Sequence, residues 1–299
     1  MPVERTGGDA ERAIASVLNQ EVPFAFELIV VSAAPLDFPV NRPAETRITN
    51  VTEPNRNPAT RRNRAVSVAR GEVLAFIDDD AVADPRWLAT ACAYLDAHAD
   101  VLAVGGPDPA PDDSPVAELI SDTLLATPWI GSGVAAHENR RGMFDVTRAS
   151  DIALVNLFVR RSAFTGFDEA IGYIGEDTAL LEELRGRGRV VYHDGVRVFH
   201  RRRAFPGPYL RQRWRYRVKT GQLQRTRRDS KVTAFLLAGA VGLLLAPLVA
   251  VPYALLTLVL GVSATRLPVR WWPVIPVAFA MHHAVYWFGI VTGMVAGRR

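Results

Sequence analysis

Three consecutive aspartates, Asp78, Asp79 and Asp80, follow an apolar run that ends at Ile77. Adjacent carboxylates repel one another unless a cation or hydrogen-bond donors lie between them. Hard divalent cations take oxygen ligands, and magnesium commonly uses one or two carboxylates together with the phosphates of its substrate. The three aspartates therefore predict a divalent-cation site. The alternative interpretation is a polar turn, with Asp84 as the N-cap of the helix that follows.

The segments around these aspartates alternate between two patterns. Short β-branched runs predict buried strands, and amphipathic runs between them predict helices. The strands are expected at Phe26–Val31, Arg47–Val51, Glu72–Ile77 and Val101–Gly106, and the helices at Asp9–Gln20 and Pro85–His98. This alternation predicts an α/β domain with a mostly parallel sheet flanked by helices. Ligands of such sheets bind beyond the carboxyl ends of the strands, which is where the aspartates are expected.

The C-terminal part of the chain has a different composition. Two uncharged runs, 232–262 and 273–296, are each longer than the roughly 20 residues that cross a bilayer as a helix. We therefore expect a soluble domain over 1–205, a basic amphipathic juxtamembrane segment over 206–231 and a transmembrane region over 232–299. Pro247 and Pro252 interrupt the first run, so one kinked span is favoured over a hairpin of two short helices.

The charge of the chain is as uneven as its hydrophobicity. Basic residues cluster between Arg185 and Lys231, directly before the first apolar run. Such a cluster marks the cytoplasmic side of a membrane and favours anionic lipid headgroups as partners. No recognition motif accompanies the charge, so a nucleic-acid partner is not expected. The single Cys92 excludes an intrachain disulfide. We expect a multi-pass protein of the inner membrane with a cytoplasmic catalytic domain.

Three segments carry a family resemblance. They are "ERAIASVLNQ" at 11–20, "NPATRRNRAVSVARGEVLAFIDDD" at 57–80 and "NLFVRRSAFTGFDEAIGYIGEDTALLEELRGRG" at 156–188. In this order and spacing they resemble the family-2 glycosyltransferases, which have the GT-A fold. The resemblance implies inverting transfer of a sugar from a nucleotide-sugar donor to a hydroxyl of a saccharide or lipid-linked acceptor. It also implies a place in polysaccharide or cell-envelope glycan synthesis.

The resemblance also implies roles for individual residues. Asp78 is expected to bind the nucleoside, with Asp79 adding to the local field. Asp80 is expected to hold Mg²⁺ or Mn²⁺, which bridges the donor diphosphate. The other residues expected beside the nucleotide sugar are Pro2, Val3, Arg62 and Asn63.

Two further positions carry alternatives. Asp177, next to Glu176 in "GEDTAL", is the candidate general base, because an inverting transfer needs a carboxylate opposite the leaving group. The alternative is that both acids only favour a helix N-terminus. His200 is a candidate metal or phosphate ligand, and a structural histidine at a strand end is the alternative.

The segment "YLRQRWRYRVKTG" at 209–221 interleaves arginines with aromatic residues. It predicts a juxtamembrane helix whose arginines meet lipid phosphates. It also loosely resembles the Gln-x-x-Arg-Trp element of processive family members, which implies that Arg213, Trp214 and Arg217 border the diphosphate and the acceptor. Gln212 lies two residues before Trp214 instead of four, so single-sugar transfer is expected.

The start of the chain departs from the family pattern. Only Pro2 and Val3 correspond to the family's first strand, which lies between the strands predicted at 27–31 and 72–77. We therefore expect that translation begins upstream or that the chain is truncated.

Two alternatives to the proposed acceptor and activity stay open. One is polyprenyl phosphate itself as the acceptor, and the other is an inactive membrane binding or assembly subunit.

Overall fold

A computed structural model describes residues 1–3, 7–35, 47–131, 141–171, 174–227 and 229–296. The chain divides into two compact units. The first comprises Met1–Pro111 with Val134–Arg201, and the second comprises Asp112–Gly133 with Arg202–Arg299. The segment 112–133 therefore groups with the C-terminal helices, and the domain boundary after residue 205 stays a prediction.

Ten strands are described, all of them in the first unit. They are β1 (Pro2–Val3), β2 (Glu27–Ser32), β3 (Arg47–Thr52), β4 (Val73–Phe76), β5 (Ala81–Ala83), β6 (Val101–Gly105), β7 (Met143–Asp145), β8 (Leu157–Arg160), β9 (Arg189–His193) and β10 (Val198–His200). Nine α-helices are described as well. They are α1 (Gly8–Leu18), α2 (Pro58–Val68), α3 (Trp87–Ala97), α4 (Val116–Ala126), α5 (Glu176–Arg187), α6 (Gly207–Arg227), α7 (Ser230–Leu244), α8 (Ala246–Ala264) and α9 (Val274–Val295).

The strands form three sheets. Strands β1, β2 and β3 are parallel, and β4, β8, β6, β9 and β7 lie in that order in a second sheet. The pair β6–β9 is parallel, whereas β8 runs antiparallel to both of its neighbours. Strands β5 and β10 form a separate antiparallel pair. The predicted α/β fold with parallel strands and flanking helices is confirmed, but the sheet that contains β4 also includes two antiparallel strands, β7 and β8.

The helices of the first unit cover the sheets with their apolar faces. Helix α1 buries Ile14, Val17 and Leu18, as its spacing predicts. The expected start of α3 is wrong, since its N-cap is Arg86 and not Asp84. The carboxylate of Asp84 instead accepts a hydrogen bond from the Arg86 amide at 3.0 Å. This bond closes a turn ahead of the helix, so the helix begins two residues later than the aspartate and proline suggest.

A gap separates β2 from β4. Strand β1 pairs with β2 only at Val31 and Ser32, and the ammonium group of Met1 donates to the Ile29 carbonyl at 2.9 Å. Beyond that point a cavity of about 440 Å³ lies between the two strands. Its walls include Leu28 and Ile29 on one side and, on the other, Val73, Leu74 and Ala75. Among the strands that the structure describes, β1 pairs with β2 alone, and the expected pairing with β4 does not occur.

The second unit consists of α4 and α6 to α9. The run 232–262 is divided at Leu245, ahead of Pro247, whereas Pro252 lies inside α8 without ending it. Helices α8 and α9 are long and apolar enough to cross a membrane, and α7 is shorter. The number of membrane crossings stays a prediction.

Helix α6 packs closely against α9, and glycines allow the approach. A methyl group at Gly293 would overlap the carbonyl oxygen of Val218, and one at Gly221 would overlap that of Ile290. The glycines at 289, 293 and 297 are spaced four residues apart, a pattern that predicts close helix packing, and the structure shows such packing at Gly289 and Gly293. Gly297, predicted on the same face, lies outside the described residues.

Candidate active site

The three aspartates lie at the carboxyl end of β4, in the turn that leads into β5. The amide of Ala81 donates to the Asp78 carbonyl at 3.3 Å and closes this turn. In the β5–β10 pair, Ala81 lies opposite His200. The pairing brings His200 Nε2 to 3.1 Å from Asp80 Oδ1. Two residues far apart in the sequence thus meet at the end of the strand.

A second carboxylate contacts the same imidazole. Asp108 Oδ2 lies 3.3 Å from His200 Nδ1, and the Asp108 residue is 1% exposed. A histidine that ligates a metal usually donates its other ring N–H to a carboxylate, which fixes the ring orientation. His200, between Asp80 and Asp108, has this arrangement. The sequence analysis missed Asp108, although its place in "VGGPDP", just beyond β6, was a usable signal.

The ligand atoms of this site suit a hard cation that the protein coordinates only in part. Asp80 supplies a carboxylate oxygen and His200 an imidazole nitrogen on the same side. Within the described ranges, no group of three or more histidine, cysteine or acidic side chains meets the geometry of a complete metal cage. Magnesium and its substitutes commonly complete their coordination with water and substrate phosphates. The residues therefore fit a cation that arrives with a diphosphate.

Arg62 connects the aspartates to the start of α5. Its guanidinium donates to Asp78 Oδ1 at 3.0 Å and to Glu176 Oε1 at 2.9 Å. Burial by itself lowers the pKa of Arg62, but the charges of Asp78 and Glu176 outweigh that effect and raise the pKa. Burial, together with the charge of Asp177, raises the pKa of Glu176 against the opposing effect of Arg62. Glu176 therefore forms an ion pair with Arg62, and its carboxylate is not available to another group.

Asp177 has a different environment from Glu176. Helix α5 follows Gly175, whose φ of 103° lies in the left-handed region that favours glycine. Both acids lie in the first turn of the helix, but Glu176 is buried and Asp177 is partly exposed. Asp177 Oδ1 accepts a hydrogen bond from the Thr178 amide at 2.7 Å. Its carboxylate is held in place while remaining accessible from solvent.

Asn63 has a clear structural contact. Its side chain donates to the Phe167 carbonyl at 2.9 Å and accepts from the Phe167 amide at 2.8 Å, so it fixes that loop. Pro2 and Val3 belong to β1, beside the end of β2. The predicted contacts of these three residues, and of Arg62, Asp78 and Asp79, with a nucleotide sugar stay predictions.

The basic residues predicted beside the diphosphate or acceptor lie on α6 in the second unit. Arg213 and Arg217 contact tyrosine rings, and Trp214 is 38% exposed. Their predicted roles stay predictions. The sequence analysis missed another ionic group in this unit, where the buried Asp122 binds Arg202 at 3.2 Å and Arg266 at 3.0 Å. No sequence signal joins these residues, because they are brought together only by the packing of distant segments.

The α/β fold, with an acidic turn at the end of β4 that Arg62 and His200 contact, is of the GT-A type. The family model described as Glycosyl transferase family 2 matches residues 7–144. This part of the chain belongs to glycosyl transferase family 2.

Solved structures are similar to this chain, and one of them supports the fold. The mannosyltransferase PcManGT from Pyrobaculum calidifontis, in complex with GDP-Man and Mn²⁺, superposes with a TM-score of 0.52 at 18% identity, over 95% of this chain and 85% of that one. TarS 1-349 from S. aureus gives a TM-score of 0.48 at 13% identity, over 97% and 89% of the two chains. No curated protein sequence gives a significant match.

Proposed function

We propose that the protein transfers a sugar, with inversion, from a nucleotide-sugar donor to a hydroxyl of a saccharide or lipid-linked acceptor. The reaction takes place at the cytoplasmic face of the inner membrane, in polysaccharide or cell-envelope glycan synthesis. The membership of residues 7–144 in glycosyl transferase family 2 supports sugar transfer, and PcManGT is a fold relative whose structure contains GDP-Man. The two long apolar helices α8 and α9 support a membrane location.

The observation that carries the proposal is the pairing of Asp80 with His200 beside Asp78. Asp80 and His200 would hold Mg²⁺ or Mn²⁺, and Asp78, whose carboxylate Arg62 contacts, would bind the nucleoside. The bound cation stabilises the negative charge that develops on the departing nucleoside diphosphate. The Mn²⁺ in the PcManGT complex supports a divalent cation for this fold.

Asp177 is the general base of the proposed transfer. It takes the proton of the acceptor hydroxyl as the oxygen attacks the sugar carbon. Two features favour it over its neighbour Glu176. Glu176 is buried and ion-paired with Arg62 at 2.9 Å, whereas Asp177 is partly exposed. Glu176 instead holds Arg62, and through it Asp78, in position.

The proposal predicts that turnover requires a divalent cation and that Asp80→Ala abolishes metal-dependent donor binding. The variant lacks the carboxylate that fixes the cation beside His200. Donor hydrolysis and transfer are measured with Mn²⁺, with Mg²⁺ and with excess chelator, for a set of nucleotide sugars.

Asp96→Ala removes an exposed carboxylate elsewhere in the same unit and serves as the matched control. Transfer that continues undiminished in excess chelator would contradict the metal site. A protein that hydrolyses and transfers no donor with any cation would instead favour the inactive assembly subunit.

A further inference from the structure

The arginines of α6 fall into two pairs with different surroundings. Arg211 and Arg215 are one helical turn apart and exposed to solvent. Arg213 and Arg217 are also one turn apart, but they are partly buried, and Arg217 lies against Tyr286 of α9. Helix α6 thus exposes two arginines to solvent and places the other two among tyrosine rings.

Tyrosine rings surround the inner pair. The Arg217 guanidinium lies 3.7 Å from the centroid of the Tyr286 ring. The Arg213 guanidinium lies 5.5 Å from the Tyr209 ring and 5.0 Å from the Tyr216 ring. Such contacts attract a cation without neutralising it. We call Arg213, Arg217, Tyr209 and Tyr286 the arginine–tyrosine cluster.

The cluster contains two positive charges without a carboxylate partner. In the described part of the chain, neither guanidinium forms an ion pair, and Arg213 donates to the neutral side chain of Gln212 at 2.9 Å. Asp122, a buried acid of the same unit, binds Arg202 and Arg266 instead. A buried cation without a counter-charge is unfavourable, so the cluster favours an anion from outside the chain.

Hydrogen-bond donors in the cluster are also unused. Within the described residues, the buried Nε atoms of Arg213 and Arg217 and the hydroxyl of Tyr286 have no hydrogen-bond partner. The Nε2 atom of His282 is likewise unpartnered, while its Nδ1 lies 2.6 Å from the Tyr209 hydroxyl. Guanidinium forks match the geometry of phosphate oxygens and bind them through charge-assisted hydrogen bonds. A phosphate monoester, with a charge of about −1.5 to −2 at neutral pH, balances the two arginines.

We propose that the arginine–tyrosine cluster binds the phosphate group of a lipid phosphate monoester or diphosphate. Helix α9, which contributes Tyr286 and His282, is long and apolar enough to cross a membrane, so the ligand's hydrocarbon chain has a bilayer beside the site. The inference rests on the proposed function, since it makes the lipid-linked acceptor one that carries its phosphate into this cluster.

The test compares two double variants of the full-length protein in phosphatidylcholine vesicles. Arg213→Gln/Arg217→Gln removes the inner pair, and Arg211→Gln/Arg215→Gln removes the same charge from the outer face. The probes are polyprenyl phosphate in the vesicle, phosphatidylglycerol in the vesicle, and soluble inorganic phosphate. Binding of polyprenyl phosphate should weaken at least about tenfold in the inner variant, the range for lost hydrogen bonds between charged groups, and less than about twofold in the outer one.

Each other outcome overturns the inference. Equal losses in both variants would show general attraction to charged lipid, and equal binding of phosphatidylglycerol would remove the preference for a monoester. Soluble phosphate that binds as tightly as polyprenyl phosphate would show that the lipid is irrelevant.

Two further variants and one assay complete the design. Tyr286→Phe keeps the ring and removes the unpartnered hydroxyl, so it should weaken binding even if the inner double variant does not fold. Arg213→Lys/Arg217→Lys keeps the charge and loses the planar fork, and its binding affinity should fall between those of the parent and the glutamine variant.

Donor hydrolysis with Mn²⁺ in the same samples separates the two proposals. Hydrolysis with no effect of the inner variant on lipid binding would contradict only the cluster. Absence of both hydrolysis and transfer would contradict the proposed function, and the lipid-binding comparison would then test phosphate binding by the cluster alone.

Discussion

His200 lies between two carboxylates that differ in their exposure. The Asp108 side chain is 2% exposed and the Asp80 side chain 22%. If Nδ1 carries its proton toward the buried Asp108, Nε2 is left with its lone pair directed to the side of Asp80. In the proposed metal site, Asp108 is therefore a positioning residue, because it would act on the cation through the imidazole and not by contact.

Asp108→Asn should weaken Mn²⁺ binding in the presence of the donor by roughly 10- to 100-fold, the range for lost partners of metal ligands. The amide can direct an N–H toward Nδ1, which favours the opposite tautomer and turns the protonated nitrogen toward the cation. Calorimetric titration of Mn²⁺ measures the effect independently of turnover. Unchanged affinity would mean that Asp108 only packs beside the histidine.

Asp177→Asn should leave donor binding nearly intact and reduce transfer by roughly two to four orders of magnitude, because an amide cannot accept the proton of the acceptor hydroxyl. Equilibrium binding of the donor and single-turnover transfer separate the two effects. Glu182→Gln, on the exposed side of α5, is the matched control. Transfer at the parent rate would place the base elsewhere.

At the residue scale, the sequence identified the acids of one contiguous motif more readily than the contacts between distant segments. Asp78 to Asp80 are consecutive, so their repulsion is visible without a fold. His200 was recognised as a candidate, but its distance from Asp80 depends on the β5–β10 pair, in which each strand has three residues. Strands so short carry no periodic signal, and the role of Asp108 depends on them.

At the element scale, the gap between β2 and β4 is the main departure from a continuous sheet. The buried ammonium group of Met1 occupies one end of it and donates to Ile29. Burial, aided by the positive charge of Arg62, lowers the pKa of this amine from 8.0 to about 5. The folded chain thus holds the amine neutral at a pH where the unfolded chain would protonate it.

The lowered pKa of the Met1 amine determines how the stability of the folded chain changes with pH. Between pH 8 and pH 5 the unfolded chain binds the additional proton, so stability is greatest above pH 8 and falls as the pH decreases toward 5. An extension ahead of Met1 replaces the ammonium group with a peptide amide and removes this loss.

A β-branched, apolar extension of about four residues should raise the melting temperature, because its backbone continues the β1 register along Leu28 and Glu27 toward the start of β2. Each buried backbone group that gains a partner contributes on the order of 1 kcal/mol. Thermal unfolding at pH 8 and pH 6 compares the parent chain with the extended one. A glycine–serine extension of equal length is the control. Equal melting temperatures for both extensions would show that a β-strand in the gap does not stabilise the fold.

At the scale of the whole molecule, the C-terminal helices support the proposed membrane location. Helices α8 and α9 satisfy the length and hydropathy of membrane spans, and many leucines and valines of α8 are exposed. The sequence predicted apolar spans from composition alone. The break at Leu245 was not located, because Pro247 and Pro252 were equally suitable and only Pro247 lies at a helix start.

The full chain should remain in the membrane pellet after alkaline carbonate extraction, because burial of two apolar helices does not depend on charge. Leu256→Arg, at an exposed position of α8, should release a large fraction, since arginine at a span centre costs about 2.5 to 3.5 kcal/mol. Met143→Arg makes the same substitution at an exposed position of the first unit. Release of the unsubstituted chain by carbonate would contradict insertion.

In the proposed membrane location, the glycine-lined packing of α6 on α9 would couple the basic helix to bilayer thickness. Helix α9 has 22 residues, so at about 1.5 Å per residue it is roughly 33 Å long, slightly more than a hydrocarbon core of about 30 Å. A thinner bilayer makes such a helix tilt. Since Gly221, Gly289 and Gly293 leave no space for α6 to slide independently, α6 tilts with it. In the proposed membrane location, the angle at which the four arginines approach the lipid headgroups would therefore change with the thickness of the bilayer.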